Sequence, residues 1–202
     1  MLVMSNSSPA PCRQRPRSRG LRGAWLLCFL ATLALPAVAD TRLAVSRADV
    51  DSDDGVYELN AALDLELPED GVRAIEAGLT LRLAYEIEIA RVRRFLPDEG
   101  VAKLVQSYEL SYHALSQRYL LRNVNTGEQA DYGTLQAALG RLAEVRGLPL
   151  LDASLLESGA DYEFRVRAVL TLRSAPDTLS WLLFWTDDWS ATNEWYAWTH
   201  RP

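Results

Sequence analysis

Leu79-Thr80-Leu81-Arg82-Leu83-Ala84-Tyr85-Glu86-Ile87-Glu88-Ile89 puts a large apolar side chain at every odd position and a polar or small one between. A period of two belongs to an extended chain whose successive side chains point to opposite faces. Such a strand has one dry face and one wet face, the habit of antiparallel sheets; parallel sheets are covered on both sides. The same pattern recurs in both directions along the chain. Upstream, Tyr57, Leu59, Ala61, Leu63, Leu65 and Leu67 alternate with Glu58, Asn60, Ala62, Asp64 and Glu66. Downstream, Leu104, Tyr108, Leu110 and Tyr112 oppose Lys103, Ser107, Glu109 and Ser111. Further on, Tyr162, Phe164, Val166, Ala168, Leu170 and Leu172 oppose Glu163, Arg165, Arg167 and Thr171.

Turn chemistry joins these runs. Asp53-Asp54-Gly55 separates a weaker strand, about 41–49, from the Tyr57 run, and Asp-Gly between strands is a hairpin signal. Leu115-Ser116-Gln117 reads as the bend between Leu104–His113 and Arg118–Val124, and Asn125-Thr126-Gly127 closes a hairpin returning through Glu128–Tyr132. Two segments have helical spacing instead. Pro68-Glu69-Asp70 opens a short helix whose apolar positions are Val72, Ile75 and Leu79, with proline and acids suited to its first turn. Leu135, Ala138, Leu139, Leu142 and Val145 predict a second, stopped by Gly147 and Pro149. The expected fold is mainly β (α+β): an antiparallel sheet or β-sandwich carrying two short helices.

Ahead of the first strand, residues 1–23 hold five arginines and no acid, Ala24–Leu35 is apolar, and Pro36-Ala37-Val38-Ala39 follows. A basic head, a short apolar run and a small-x-small ending predict a cleavable signal peptide at 1–39, cut after Ala39. Twelve apolar residues fall short of the roughly 20 that a spanning helix needs. The expected address is the periplasm. Both cysteines, Cys12 and Cys28, would leave with the leader, so the domain at 40–202 would fold without disulfides. Losing the five arginines moves the formal net charge from −6 to −11, since no acid precedes Asp40. So acidic a domain repels phosphate backbones, and no nucleic-acid partner is expected.

Residues that could carry chemistry are few. His113 and His200 are the only histidines, with no cysteine or second histidine near either, so no zinc set can be written. Both read as solvated side chains, and no Gly-x-Ser-x-Gly elbow marks a serine nucleophile. Asp49, Asp51 and Asp53 stand at the first, third and fifth places of a calcium-type loop, but Asp54 takes the glycine place and Asn60 the glutamate place. An acidic hairpin turn accounts for the same residues. Glu86 and Glu88 share a strand face that reads as wet. No catalytic residue, metal ligand or cofactor is assigned.

The C-terminal stretch 181–198 is the most unusual. Trp181, Trp185, Trp189, Trp195 and Trp198 are all the tryptophans after the leader, with Tyr196 among them. Either these rings close the core or they form an exposed aromatic patch, and as a patch they are the candidate partner-binding residues. Trp195-Tyr196-Ala197-Trp198 alternates as a strand does.

Four segments together resemble a known family. They are Ser107-Tyr108-Glu109-Leu110-Ser111-Tyr112-His113-Ala114-Leu115-Ser116-Gln117-Arg118-Tyr119, Thr134-Leu135-Gln136-Ala137-Ala138-Leu139, Asp161-Tyr162-Glu163-Phe164-Arg165-Val166-Arg167, and Asn193-Glu194-Trp195-Tyr196-Ala197-Trp198. The chain resembles, over about 41–199, a family of small exported proteobacterial proteins catalogued as a domain of unknown function, sometimes labelled proline-rich signal-peptide protein. The resemblance implies a periplasmic address, a single domain and an accessory role in envelope signalling, and it transfers no catalytic residue. The expected function is therefore a non-catalytic periplasmic binding or accessory module. Its partner would be an envelope protein or a small envelope ligand, with membrane contact only through the signal peptide or a partner. The alternatives are a hydrolase acting on an envelope polymer and a structural role in envelope assembly.

Overall fold

The computed structural model describes residues 41–173 and 190–202. The expected signal peptide at 1–39 and three of the candidate tryptophans, Trp181, Trp185 and Trp189, lie outside them. Ala39–Pro202 forms one compact unit, and every core residue named below belongs to it.

Among the described residues, ten strands and two α-helices follow one another as β1 (Arg42–Asp53), β2 (Val56–Glu66), α1 (Glu69–Glu76), β3 (Thr80–Arg91), β4 (Glu99–His113), β5 (Arg118–Asn123), β6 (Gln129–Tyr132), α2 (Leu135–Leu142), β7 (Glu144–Asp152), β8 (Tyr162–Arg173), β9 (Ser190–Thr192) and β10 (Tyr196–His200). They make two sheets. The small one has the order β1-β2-β7; the large one runs β10-β8-β3-β4-β5-β6, with β9 also on the free side of β8. Every ladder is antiparallel.

The two sheets share one core, because each turns its apolar alternate residues toward the other. Leu59, Ala61 and Leu63 of β2 join Leu81, Leu83, Tyr85 and Ile87 of β3 and Val166, Ala168 and Leu170 of β8 in a single buried cluster. The turn between β1 and β2 places Asp54 and Gly55 both at positive φ, 45° and 80°, with Asp53 opposite Val56. A two-residue loop of that kind carries the twist of the flanking strands. The would-be calcium loop is thus spread along two paired strands, where Asn60 Nδ2 donates to Asp51 Oδ2 at 3.0 Å. Thr134 Oγ1 caps α2 by accepting from the Ala137 amide at 3.2 Å. Tyr85 bridges sheet and helix: its buried hydroxyl donates to the Leu142 carbonyl at 2.8 Å, and burial pushes its ionisation far above the usual tyrosine range.

Three expectations need correction. The second helix ends at Leu142, and Val145, Gly147 and Pro149 belong to β7, a strand the helical spacing concealed. Val145 is buried opposite Ala61. A proline is tolerated there because β7 pairs only with β2, leaving an edge where a missing amide breaks no second ladder. At Gly147 the strand bulges with φ +60°; its amide turns to Asn60 Oδ1 at 3.1 Å, and a Cβ would stand 3.2 Å from Glu58 Oε2. The first helix ends at Glu76, so Leu79 lies beyond it and in the link to β3. His200 is not a solvated side chain. It stands on the inner face of β10 with its ring edge-on to Tyr57 and Phe164, at 5.3 and 5.8 Å between centroids.

Candidate functional site

The outer face of the large sheet carries a charge lattice that the alternation pattern left unpaired. Register brings Glu86 opposite Arg167 and Glu88 opposite both Arg165 and Lys103. Arg167 Nε donates to Glu86 Oε2 at 2.6 Å, Arg165 Nε to Glu88 Oε2 at 2.8 Å, and Lys103 Nζ reaches Glu88 Oε1 at 2.8 Å. The hydrogen bonds from Lys103 and then Arg165 hold the Glu88 carboxyl below the usual carboxylate range. A general acid requires the opposite shift. Because the folded value is the lower one, Glu88 stabilises the fold fully above its unfolded pKa, about 4.3, and loses that contribution as pH falls through the folded value. Urea melts of Glu88→Gln against the parent should therefore show a stability gap at neutral pH that narrows below about pH 4.3. A gap independent of pH would mean the ion pairs are not its source.

The aromatic candidates divide between two faces. Trp195 lies on the outer side, its ring under the Arg165 and Arg167 guanidinium groups at 5.0 and 4.5 Å. That geometry is a double cation–π contact. Tyr196 and Trp198, opposite Val166 and Phe164, turn inward and pack on the core. The Trp198 ring stacks on Phe164 at 5.7 Å and 25°. Of the described candidates, two close the core and one is presented outward.

His113, in the turn-side end of β4, has Nδ1 2.9 Å from Ser116 Oγ, a local turn contact. Among the described residues, no three His, Cys, Asp or Glu side chains gather as metal ligands. No helix among them is long and apolar enough to cross a membrane.

The feature that sequence reasoning missed altogether is a groove. Strands in a sheet lie roughly 4.8 Å apart, so a three-stranded layer covers only part of a layer twice as wide. Helix α2 packs over the remainder, against β5 and β6. What stays uncovered is a concavity of about 390 Å³ between the β5–β6 hairpin and the end of α2. Tyr108, Leu121 and Tyr132 supply its apolar lining; Asn123, Gln129 and Arg141 bring polar groups to it. Tyr108 is held by an edge-on contact with Tyr85 at 6.3 Å. Asn123 is held by Gln106, whose Nε2 donates to its Oδ1 at 2.7 Å. Alternation shows which of these residues face inward, but not that no strand lies over them.

Comparison with known proteins adds a single positive result. The family described as Domain of unknown function (DUF4390) matches residues 40–199. No curated protein and no solved structure matches the chain. With the match spanning the whole two-sheet unit except Ala39 and its last three residues, the chain belongs to the DUF4390 family.

Proposed function

We propose that the chain is a non-catalytic binding or accessory module of the bacterial cell envelope, exported by the leader at 1–39 and released into the periplasm after Ala39. The arginine-rich head, the apolar run and Ala37-Val38-Ala39 support the address. The resemblance to small exported proteobacterial proteins supports an accessory role in envelope signalling. The observation that carries the binding reading is the groove. Its volume lies within the 300–1,000 Å³ range of ligand sites, with aromatic walls and a few convergent polar groups. Its occupant is a segment of an envelope protein or a small envelope ligand.

Crosslinking and pull-down from intact cells tests this. Ala130 is exposed at the groove and stands opposite Leu121, so Ala130→Trp fills the space without touching the core. One dominant envelope partner, reduced at least about tenfold by Ala130→Trp at an unchanged melting temperature, is the expected result. A partner retained in full by Ala130→Trp and by Arg141→Glu would remove the groove from the account.

A further inference from the structure

The connection between β3 and β4 exposes apolar side chains that no core claims. Phe95 is 92% exposed, Leu96 63% and Val92 43%. Single exposed apolar residues are ordinary, but three within five positions of one short loop are not. The loop is also braced from below. Arg91 makes two bonds to Glu157, at 2.8 and 2.6 Å, and the Val92 amide donates to the Asp161 carbonyl at 2.8 Å. Above that base, the Arg93 amide donates to Asp98 Oδ1 at 3.1 Å while its guanidinium pairs with Glu99. These contacts close a neck and leave Arg94-Phe95-Leu96-Pro97 as a projecting tip. The tip holds one cation and no acid, and among the described residues Arg94 has no carboxylate partner.

We propose that this tip is a membrane anchor: Phe95 and Leu96 enter the interfacial region of an anionic bilayer while Arg94 meets lipid phosphate. An aromatic and an aliphatic side chain on a convex, braced tip suit the headgroup–acyl boundary, where apolar groups gain burial and a cation gains a counter-charge. The charges of the acidic domain beyond a Debye length of about 8 Å are screened. In the neck Glu157 and Glu99 are paired with Arg91 and Arg93, and Asp98 is turned back onto the Arg93 amide, which leaves Arg94 as the charge carried by the tip itself. Such an anchor is a direct contact with lipid, beyond a leader or a partner, and it is independent of the groove.

The purified unit Ala39–Pro202, which carries the whole described core, is the form to test, by co-sedimentation with vesicles of phosphatidylethanolamine and phosphatidylglycerol. Partition should fall at least about tenfold in Phe95→Asp/Leu96→Asp, since burying either side chain is worth about that much. Arg94→Gln should weaken partition about fivefold on these vesicles and not on phosphatidylcholine alone. Leu115, 94% exposed in the turn at the other end of β4, is the control: Leu115→Asp should change nothing. A parent protein that stays in the supernatant, or a tip variant that sediments like the parent, overturns the proposal. So does a tip that crosslinks to an envelope protein while ignoring vesicles. None of these outcomes bears on the Ala130→Trp result.

Discussion

Phe164→Ala should cost about 3–5 kcal/mol of folding free energy, the range for removing a fully buried aromatic ring. Phe164 has no solvent exposure and stands in β8, in the large sheet. Its ring meets Tyr57 of the small sheet edge-on at 6.3 Å, Trp198 of the edge strand in a stack, and His200 edge-on. Three rings from two strands therefore lose a common partner when it goes, in addition to the transfer free energy of the ring itself. Urea unfolding of the Ala39–Pro202 unit measures the effect. A loss under about 1 kcal/mol would mean that the neighbouring rings collapse into the space and that Phe164 does not join the sheets.

Trp198→Ala and Trp195→Ala should differ, although the two residues are three apart. Trp198 is half-buried against Phe164 and the core, so its removal should cost about 2–3 kcal/mol, below the full-burial range. Trp195 touches the sheet through Arg165 and Arg167, and cation–π contacts at partly exposed sites are worth about 0.5–1 kcal/mol. Thermal melts of the two variants side by side decide it. Equal losses, or the reverse order, would contradict the assignment of the two rings to opposite faces of the large sheet. The same pair of variants separates core closure from partner binding: only Trp195 can be removed to probe binding without first weakening the fold.

The strands were legible because period two and period 3.6 are different signals. The face of each strand followed too: Tyr57, Leu59, Ala61 and Leu63 on β2, Leu81 to Ile89 on β3 and Tyr162 to Leu172 on β8 are buried at the alternate positions expected. Asp54-Gly55 and Asn125-Thr126-Gly127 marked hairpins because positive φ is cheap only for such residues. Strand β7 was illegible for a related reason. Val145 continued the helical spacing, and Pro149 carried the ordinary meaning of a stop. Only pairing with β2 on one side, and nothing on the other, makes that stretch an edge strand.

The candidate sites were less legible than the fold. Glu86 and Glu88 read as a wet pair, and Arg165 and Arg167 as a wet pair elsewhere, because alternation assigns a face without naming the neighbouring strand. The pairing of β3 with β8 turns two runs of like charge into ion pairs. Trp195 and Trp198 read as one aromatic block because composition counts rings and ignores which side of a strand they occupy. Local chemistry along the chain by itself determined an antiparallel, mainly β domain, its principal hairpins and the dry face of β2, β3 and β8, since each depends on residues within a turn or two of one another. The tertiary structure alone decided which strands beyond the hairpins are neighbours, where a three-stranded layer fails to cover a wider one, and which side chains are left standing at the edges. Those outcomes depend on residues as far apart in the chain as Tyr57 and His200, brought together by burial of the shared core, and no local period records them.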